Sequence, residues 1–226
     1  MDLERARVVI TGGSNGIGLA LAALLASKGA IVRSVDVEPP AKKLDGVEHL
    51  YCDVRSMNDV RMALAQAGGA IDLLFLNAGV IRRGPVLAHP DDEFDLLFGV
   101  NAKGTWLMLK EGVPLLSKHG VVVHVSSYRA AQAVDDPGLY AASKAAGEHL
   151  VRCAATGNPG FSAKIARLGP VDTSMARHAV EGEALKRKEA IMRPADDIAA
   201  MLLDLATGSH GTLSYDPSTD AYTFGA

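Results

Sequence analysis

The chain has 226 residues, 48% hydrophobic and 22% charged, with 23 Lys and Arg against 26 Asp and Glu for a formal net charge of −3. That length suits one sizeable core better than two full domains, so a single domain over 1–226 is expected. The balance of charge gives no electrostatic case for a nucleic-acid partner, and Cys52 and Cys153, the only cysteines, have no CxxC spacing and read as free thiols.

Met1 to Arg7 mixes two acids with two bases, which a secretory signal does not do. No uncharged apolar run reaches the roughly 18 residues of a membrane helix, so the expectation is a soluble, cytoplasmic protein with no membrane partner. Arg7-Val8-Val9-Ile10 is a β-branched run that ends in Thr11-Gly12-Gly13-Ser14-Asn15-Gly16-Ile17-Gly18. Leu19 to Lys28 then reads as a helix closed by Gly29. Strand, glycine turn and helix are the context of a phosphate-binding loop, because glycines let the backbone approach a pyrophosphate and the helix start supplies free N–H groups. The spacing is G-x-x-x-G-x-G rather than G-x-G-x-x-G. Ile31 to Val35 gives a second strand ending at Asp36, 20 residues after Gly16, where an acid would hydrogen-bond an adenine ribose and repel a 2′-phosphate. NAD(H) is thereby favoured over NADP(H).

Val47 to Cys52 is a third strand, followed by Asp53-Val54 and a helix capped by Ser56 and running to about Ala67. Ile71 to Leu76, almost wholly apolar, suits a parallel strand buried on both faces and ends at Asn77-Ala78-Gly79. Asp91 to Leu116 reads as one helix with Asn101 interrupting its apolar stripe. Val121 to Val125 is a buried strand ending at Ser126-Ser127. Phe161 to Leu168 is a sixth strand leading into Gly169-Pro170-Val171-Asp172-Thr173. The charged, helix-prone segment 174–192 reads as a lid, Pro194 opens a last helix to Ala206, and Thr212 to Tyr215 gives a short seventh strand. Strands and helices alternate throughout, which predicts an α/β fold: a Rossmann-type doubly wound parallel sheet of about seven strands flanked by helices. Its carboxyl edge would collect Gly12, Asp36, Asn77 and Ser127. The histidines His89, His124, His149 and His178 show no metal-ligand spacing, and no metal is expected.

Between the Val121–Val125 and Phe161–Leu168 strands lies Tyr140-Ala141-Ala142-Ser143-Lys144. On a helix, positions i and i+4 share a face, so a phenol and an ammonium stand side by side. An adjacent cation favours the phenolate and lowers the phenol pKa from about 10, which fits the Tyr for general acid/base work. Alone, the pattern also describes a surface helix whose Lys is solvated.

Thr11-Gly12-x-x-x-Gly16-Ile17-Gly18, Asn77-Ala78-Gly79, Asn101, Ser127 and Tyr140-x-x-x-Lys144, in that order, together resemble the short-chain dehydrogenase/reductase family over residues 7 to 206. The resemblance implies a catalytic set. Tyr140 would be the acid/base, Lys144 would lower its pKa and hold the nicotinamide ribose, Ser127 would orient the substrate oxygen, and Asn101 would hold a water linking Lys144 to solvent. It also implies dinucleotide contacts at Gly12, Ser14, Asn15, Gly16, Ile17, Gly18, Asp36, Asp53, Val54, Asn77, Ala78, Gly79, Tyr140, Lys144, Val171 and Thr173. The chain departs from the family in having Leu168-Gly169 for Pro-Gly, Lys164 for an Asn, and Asp216-Pro217-Ser218 for Asp-Gly-Gly. The implied activity is NAD(H)-dependent interconversion of a secondary alcohol and a ketone. The alternatives are a catalytically silent NAD(H) sensor or a lyase or epimerase on the same scaffold. Family members commonly pair through the helices carrying Asn101 and Tyr140, implying a homodimer or homotetramer. The substrate pocket would draw on 80–83, 128–134 and the lid, with Arg82, Arg83 and Arg129 either receiving an anionic substrate or facing solvent.

Overall fold

A computed structural model describes residues 1–178 and 182–226. Among them are eight strands: β1 (Arg7–Thr11), β2 (Ile31–Asp36), β3 (Val47–Tyr51), β4 (Ile71–Leu76), β5 (Leu116–Ser127), β6 (Ser162–Leu168), β7 (Thr212–Asp216) and β8 (Ala221–Gly225). They form one sheet in the order β3-β2-β1-β4-β5-β6-β7-β8, parallel except for the β7–β8 pair. The helices are α1 (Gly16–Ser27), α2 (Met57–Ala65), α3 (Asp91–Phe98), α4 (Thr105–Gly112), α5 (Gly138–Gly157), α6 (Ser174–His178), α7 (Gly182–Glu189) and α8 (Ala195–Thr207). This is the expected doubly wound sheet, with one strand more than the seven read from the sequence.

The period of two in the strands builds the two sides of the core. Val8 and Ile10 of β1, with Leu73, Phe75, Val123 and Val125, pack against Leu21 and Leu25 of α1 and Ile198 and Leu202 of α8. Val9, Leu74, Leu76 and Val122 face the other way, against Val60 and Leu64 of α2, Leu107 and Met108 of α4 and Val151 of α5. The order reverses beside β1, because the chain crosses from β3 back to β4, and the crevice this opens at the strands' carboxyl ends is where such sheets hold ligands.

Three elements differ from the sequence reading. The helix expected over 91–116 is broken into α3, a π-helical turn (Gly99–Gly104), α4 and a short 3₁₀ turn (Val113–Leu115). Asn101 lies inside the widened turn, fully buried, and bonds to other segments rather than to its own helix. The lid segment holds α6 and α7, while 179–181 fall outside the described residues. Finally, β7 and β8 make an antiparallel hairpin over Asp216-Pro217-Ser218-Thr219-Asp220, where Asp216 Oδ1 accepts from the Ser218 amide and hydroxyl (2.8 and 2.7 Å). That turn chemistry replaces the family's Asp-Gly-Gly and returns the chain along β7.

Lys164, which departs from the family Asn, has a structural role. Its ammonium, 4% exposed, donates to the carbonyls of Leu205 (2.7 Å) and Gly208 (2.6 Å) at the end of α8. The last carbonyls of a helix lack internal partners, and a cation there also meets the negative end of the helix dipole. Lys164→Met keeps the stem and removes both bonds. It is expected to cost about 2 kcal/mol, seen as a fall in Tm of roughly 4–8 °C. An unchanged Tm would mean that removing a buried charge offsets the lost bonds.

Candidate active site

The glycine turn leaves β1 at Gly12, whose φ of +68° is in the left-handed region; its N–H donates to the Val35 carbonyl (2.8 Å). A Cβ at Gly18 would lie 2.1 Å from the Gly12 carbonyl oxygen and 2.7 Å from Asn77 Nδ2, so helix and turn touch there with no room for a side chain. Asn77 clamps the same turn, donating from Nδ2 to the Thr11 and Gly12 carbonyls (3.0 and 2.9 Å). Gly18→Ala is therefore expected to cost about 1–3 kcal/mol by overpacking, read as a lower urea midpoint at unchanged slope. Asn15 precedes α1 without a side-chain cap, which leaves the first N–H groups of the helix facing the crevice.

At the end of β2, the Asp36 carboxylate accepts from the amides of Ser14 (3.0 Å) and Glu38 (3.2 Å). The Ser14 hydroxyl turns to the Glu38 carbonyl (2.6 Å) and is fully buried. After β3, Asp53 is held below its usual range by Arg55, which binds both carboxylate oxygens (2.7 to 3.1 Å).

The other end of the crevice is built by the π-helical turn, β5 and α5. Asn101 Oδ1 accepts from the Val80 amide (2.9 Å), and Nδ2 donates to the Val80 carbonyl and Ser143 Oγ (both 2.9 Å). The Ser143 hydroxyl in turn donates to the Tyr140 carbonyl (2.8 Å). The Asn101 side chain thus pins the loop after β4 to the first turn of α5. One helical turn after Tyr140, Lys144 is 5% exposed and donates to the Val125 carbonyl (3.0 Å). One turn further, buried Glu148 accepts from Ser126 Oγ (2.7 Å) and from Nε and Nη2 along one edge of the Arg167 guanidinium. Ser127 closes β5, with its hydroxyl accepting from the Arg129 amide (3.3 Å).

Burial controls the protonation of this group. It pushes the Lys144 ammonium down to about 8, against the pull of Glu148. It pushes the Tyr140 phenol up to about 12, with Ser127 acting in the opposite direction and Tyr128 adding to the rise. Removing a developing phenolate from water dominates here, so the phenol stands above its ordinary value of about 10. His124, against α5, is held neutral by burial and by Lys144, near 3.

These parts enclose a cavity of about 1010 Å³ along the carboxyl edge of the sheet. It is lined by Gly12, Asn15, Gly16, Ile17, Asp36, Asp53, Val54, Asn77, Ala78, Gly79, Ser127, Tyr140, Lys144, Val171 and Thr173. Ser14, Gly18 and Asn101 are buried behind that wall and act on it through the bonds above. Of the residues read as pocket, Val80, Ile81, Arg83, Tyr128 and Arg129 reach the cavity, as do Met175, Glu183 and Ile191 of the lid segment; Arg82 and 130–134 do not. Cys52, Arg55 and Val100 also line it and carried no motif; the one available signal was Arg55 standing two residues after Asp53.

The family model described as short chain dehydrogenase matches residues 6–184. This chain belongs to that family. The chain is 34% identical over 165 residues to "Short chain aldehyde dehydrogenase 1" of Euphorbia lathyris, covering 66% of this chain and 57% of that protein. It is 29% identical over 219 residues to "Dehydrogenase/reductase SDR family member 6" of Aquarana catesbeiana, covering 88% and 89%. It thus spans under two thirds of the first relative's length. Among solved structures, a short chain dehydrogenase from Burkholderia cenocepacia J2315 in complex with NADP superimposes with a TM-score of 0.82 at 27% identity, over 94% of this chain and 96% of that one. The family is one of oxidoreductases. Among the described residues of this chain, no helix is long and apolar enough to cross a membrane.

Proposed function

We propose that this chain is an NAD(H)-dependent oxidoreductase interconverting a secondary alcohol and a ketone, with Tyr140 as general acid/base. The observation that carries the reading is one cavity lined at one end by Asp36 and the glycine turn and at the other by Ser127, Tyr140 and Lys144. The residues fit a nicotinamide dinucleotide. A side-chain-free turn and the uncapped start of α1 suit a pyrophosphate, and Asp36 offers a fixed carboxylate to a ribose diol. Asp53, Val54, Asn77, Ala78, Gly79, Val171 and Thr173 would complete its walls. When bound, the nicotinamide supplies or receives the hydride.

The rest of the chemistry belongs to the side chains. Ser127 hydrogen-bonds the substrate oxygen and turns it toward Tyr140. In reduction the phenol gives that oxygen its proton, and at about 12 it holds the proton ready throughout the neutral range. In oxidation the phenolate must form first. Lys144 sits one turn below, fixed on Val125, where its charge opposes that cost and its remaining protons face the cavity. Asn101 is a positioning residue for both, and the water it would hold, linking Lys144 to solvent, belongs to the same reading.

The chain is read as one domain that assembles as a homodimer or homotetramer through the helices carrying Asn101 and Tyr140. The exposed Trp106 of α4 and the stacked pair Phe94 and Phe98 of α3 support that surface. The test of function is an absorbance assay for NADH or NADPH appearance and loss, over secondary alcohols, diols, sugars and steroids with their ketones. Turnover with NAD(H) supports the reading. NADH binding without turnover on the whole panel points instead to a sensor.

A further inference from the structure

Four basic side chains line the cavity, and three are already committed. Arg55 is bound by Asp53 on both oxygens. Arg83 is paired with Asp136 (2.7 Å), whose other oxygen accepts the Gly84 amide (3.0 Å). Lys144 donates to Val125. Arg129 differs: no carboxylate among the described residues lies within ion-pair distance of it. Glu183, the acid that the lid brings to the cavity, has Lys186 as its partner at 3.8 Å.

The Arg129 side chain is nevertheless held in place. Its guanidinium lies 4.7 Å from the centre of the Tyr128 ring, a cation–π platform, and Tyr128 is braced edge-on by Tyr215 at 5.4 Å. Nη1 donates to Gln132 Oε1 (3.1 Å). That leaves the Nε–Nη2 edge without an acceptor among the described residues. Two parallel N–H groups on that edge match the two oxygens of a carboxylate.

Position decides what such an edge can serve. Arg129 stands two residues after Ser127, at the end of β5, and its amide holds the Ser127 hydroxyl (3.3 Å). The glycine turn follows β1, two strand positions away, or about 10 Å, and Asp36 follows β2, one position further. The edge is therefore placed for the substrate and not for a dinucleotide's phosphates. The cavity wall also carries the apolar side chains of Val80, Ile81, Met175 and Ile191.

We infer that the substrate is a short oxo or hydroxy acid whose carboxylate is received by the Nε–Nη2 edge of Arg129, with its carbon chain against the apolar wall. The inference rests on the oxidoreductase reading above and narrows it to a class. The probes are 2-, 3- and 4-oxopentanoate, each beside its methyl ester, with NADH as reductant, in wild type, Arg129→Gln and Arg129→Lys. At least one acid is expected to be reduced with a kcat/KM at least roughly tenfold above its ester. Arg129→Gln should lower that value by about 10–100-fold, mainly through KM, and leave the ester nearly unchanged. Arg129→Lys, which keeps charge but loses the fork, should fall between. NADH affinity by fluorescence quenching and Tm should stay as in wild type; where Arg129→Gln does not fold, the acid-to-ester ratio in wild type and Arg129→Lys decides.

Equal or better turnover of the esters overturns the carboxylate assignment. So does an Arg129→Gln loss shared by acid and ester. Turnover confined to uncharged ketones, and abolished by Tyr140→Phe, overturns the substrate class while the oxidoreductase reading stands. No turnover of any carbonyl compound, with NADH still bound, overturns both.

Discussion

Tyr140→Phe is expected to lower kcat by about 10²–10⁴-fold while NADH affinity stays within about threefold. The ring remains, so its packing against the cavity wall remains, and only the hydroxyl is lost. On the proposed reading, binding of the dinucleotide draws on the glycine turn, α1 and Asp36, which this change does not touch. Stopped-flow turnover with a responding substrate, beside fluorescence titration of NADH, separates the two quantities. Retained turnover would remove Tyr140 from the chemistry.

The two directions of reaction should respond differently to pH. A phenol at about 12 is protonated across the neutral range, so reduction finds its proton donor in place and should be flat from about pH 6 to 7.5. Oxidation needs the phenolate, whose fraction grows about tenfold per pH unit below the pKa, so its rate should still be rising above pH 8. Lys144 loses its proton near 8 and with it the charge that favours the phenolate, which should flatten the rise above that point. An oxidation profile already level at pH 7 would place the ionising group elsewhere or bring the phenol down in the complex.

The sequence made the carboxyl edge of the sheet legible because the chain must bury its parallel strands on both faces. Apolar runs such as Ile71 to Leu76 then end abruptly in polar residues, and those ends line the cavity. What it could not show were effects of depth and of distant partners. The spacing of Tyr140 and Lys144 gives their proximity, but the rise of the phenol comes from burial, which spacing does not encode. Asn101 read as an interruption in one helix; the π-helical turn exists because its amide is satisfied by Val80 and Ser143. The Ala221–Gly225 strand was missed because its meaning lies in long-range contacts: Tyr222 accepts from the Gly169 amide (2.9 Å), and a Cβ at Gly169 would meet the Tyr215 ring at 2.6 Å. The hairpin thereby backs the loop where this chain lacks the family's Pro-Gly.

Asp36→Asn is expected to reduce the preference for NADH over NADPH by about 100-fold, the second largest effect after loss of Tyr140. Both Asp36 oxygens are fixed by backbone amides, Ser14 on one and Glu38 on the other, so the carboxylate cannot swing away from what binds beside it. Glu38 and Asp53 also line the cavity. A ribose diol donates hydrogen bonds to such a group, whereas a 2′-phosphate would set like charges within a few ångströms, worth about 3–4 kcal/mol at an effective dielectric near 20. Part of that is screened by water and by salt, which leaves a discrimination on the order of 100-fold. The fold does not impose the choice, since the Burkholderia cenocepacia J2315 relative is a complex with NADP; on the proposed reading the charge at this strand end does. Steady-state kcat/KM for both cofactors, in wild type and Asp36→Asn, measures the ratio directly, with Tm checking that the Ser14 turn survives. Wild-type preference for NADPH would mean that a cation elsewhere on the cavity rim outweighs Asp36, and the assignment of NAD(H) would fall with it.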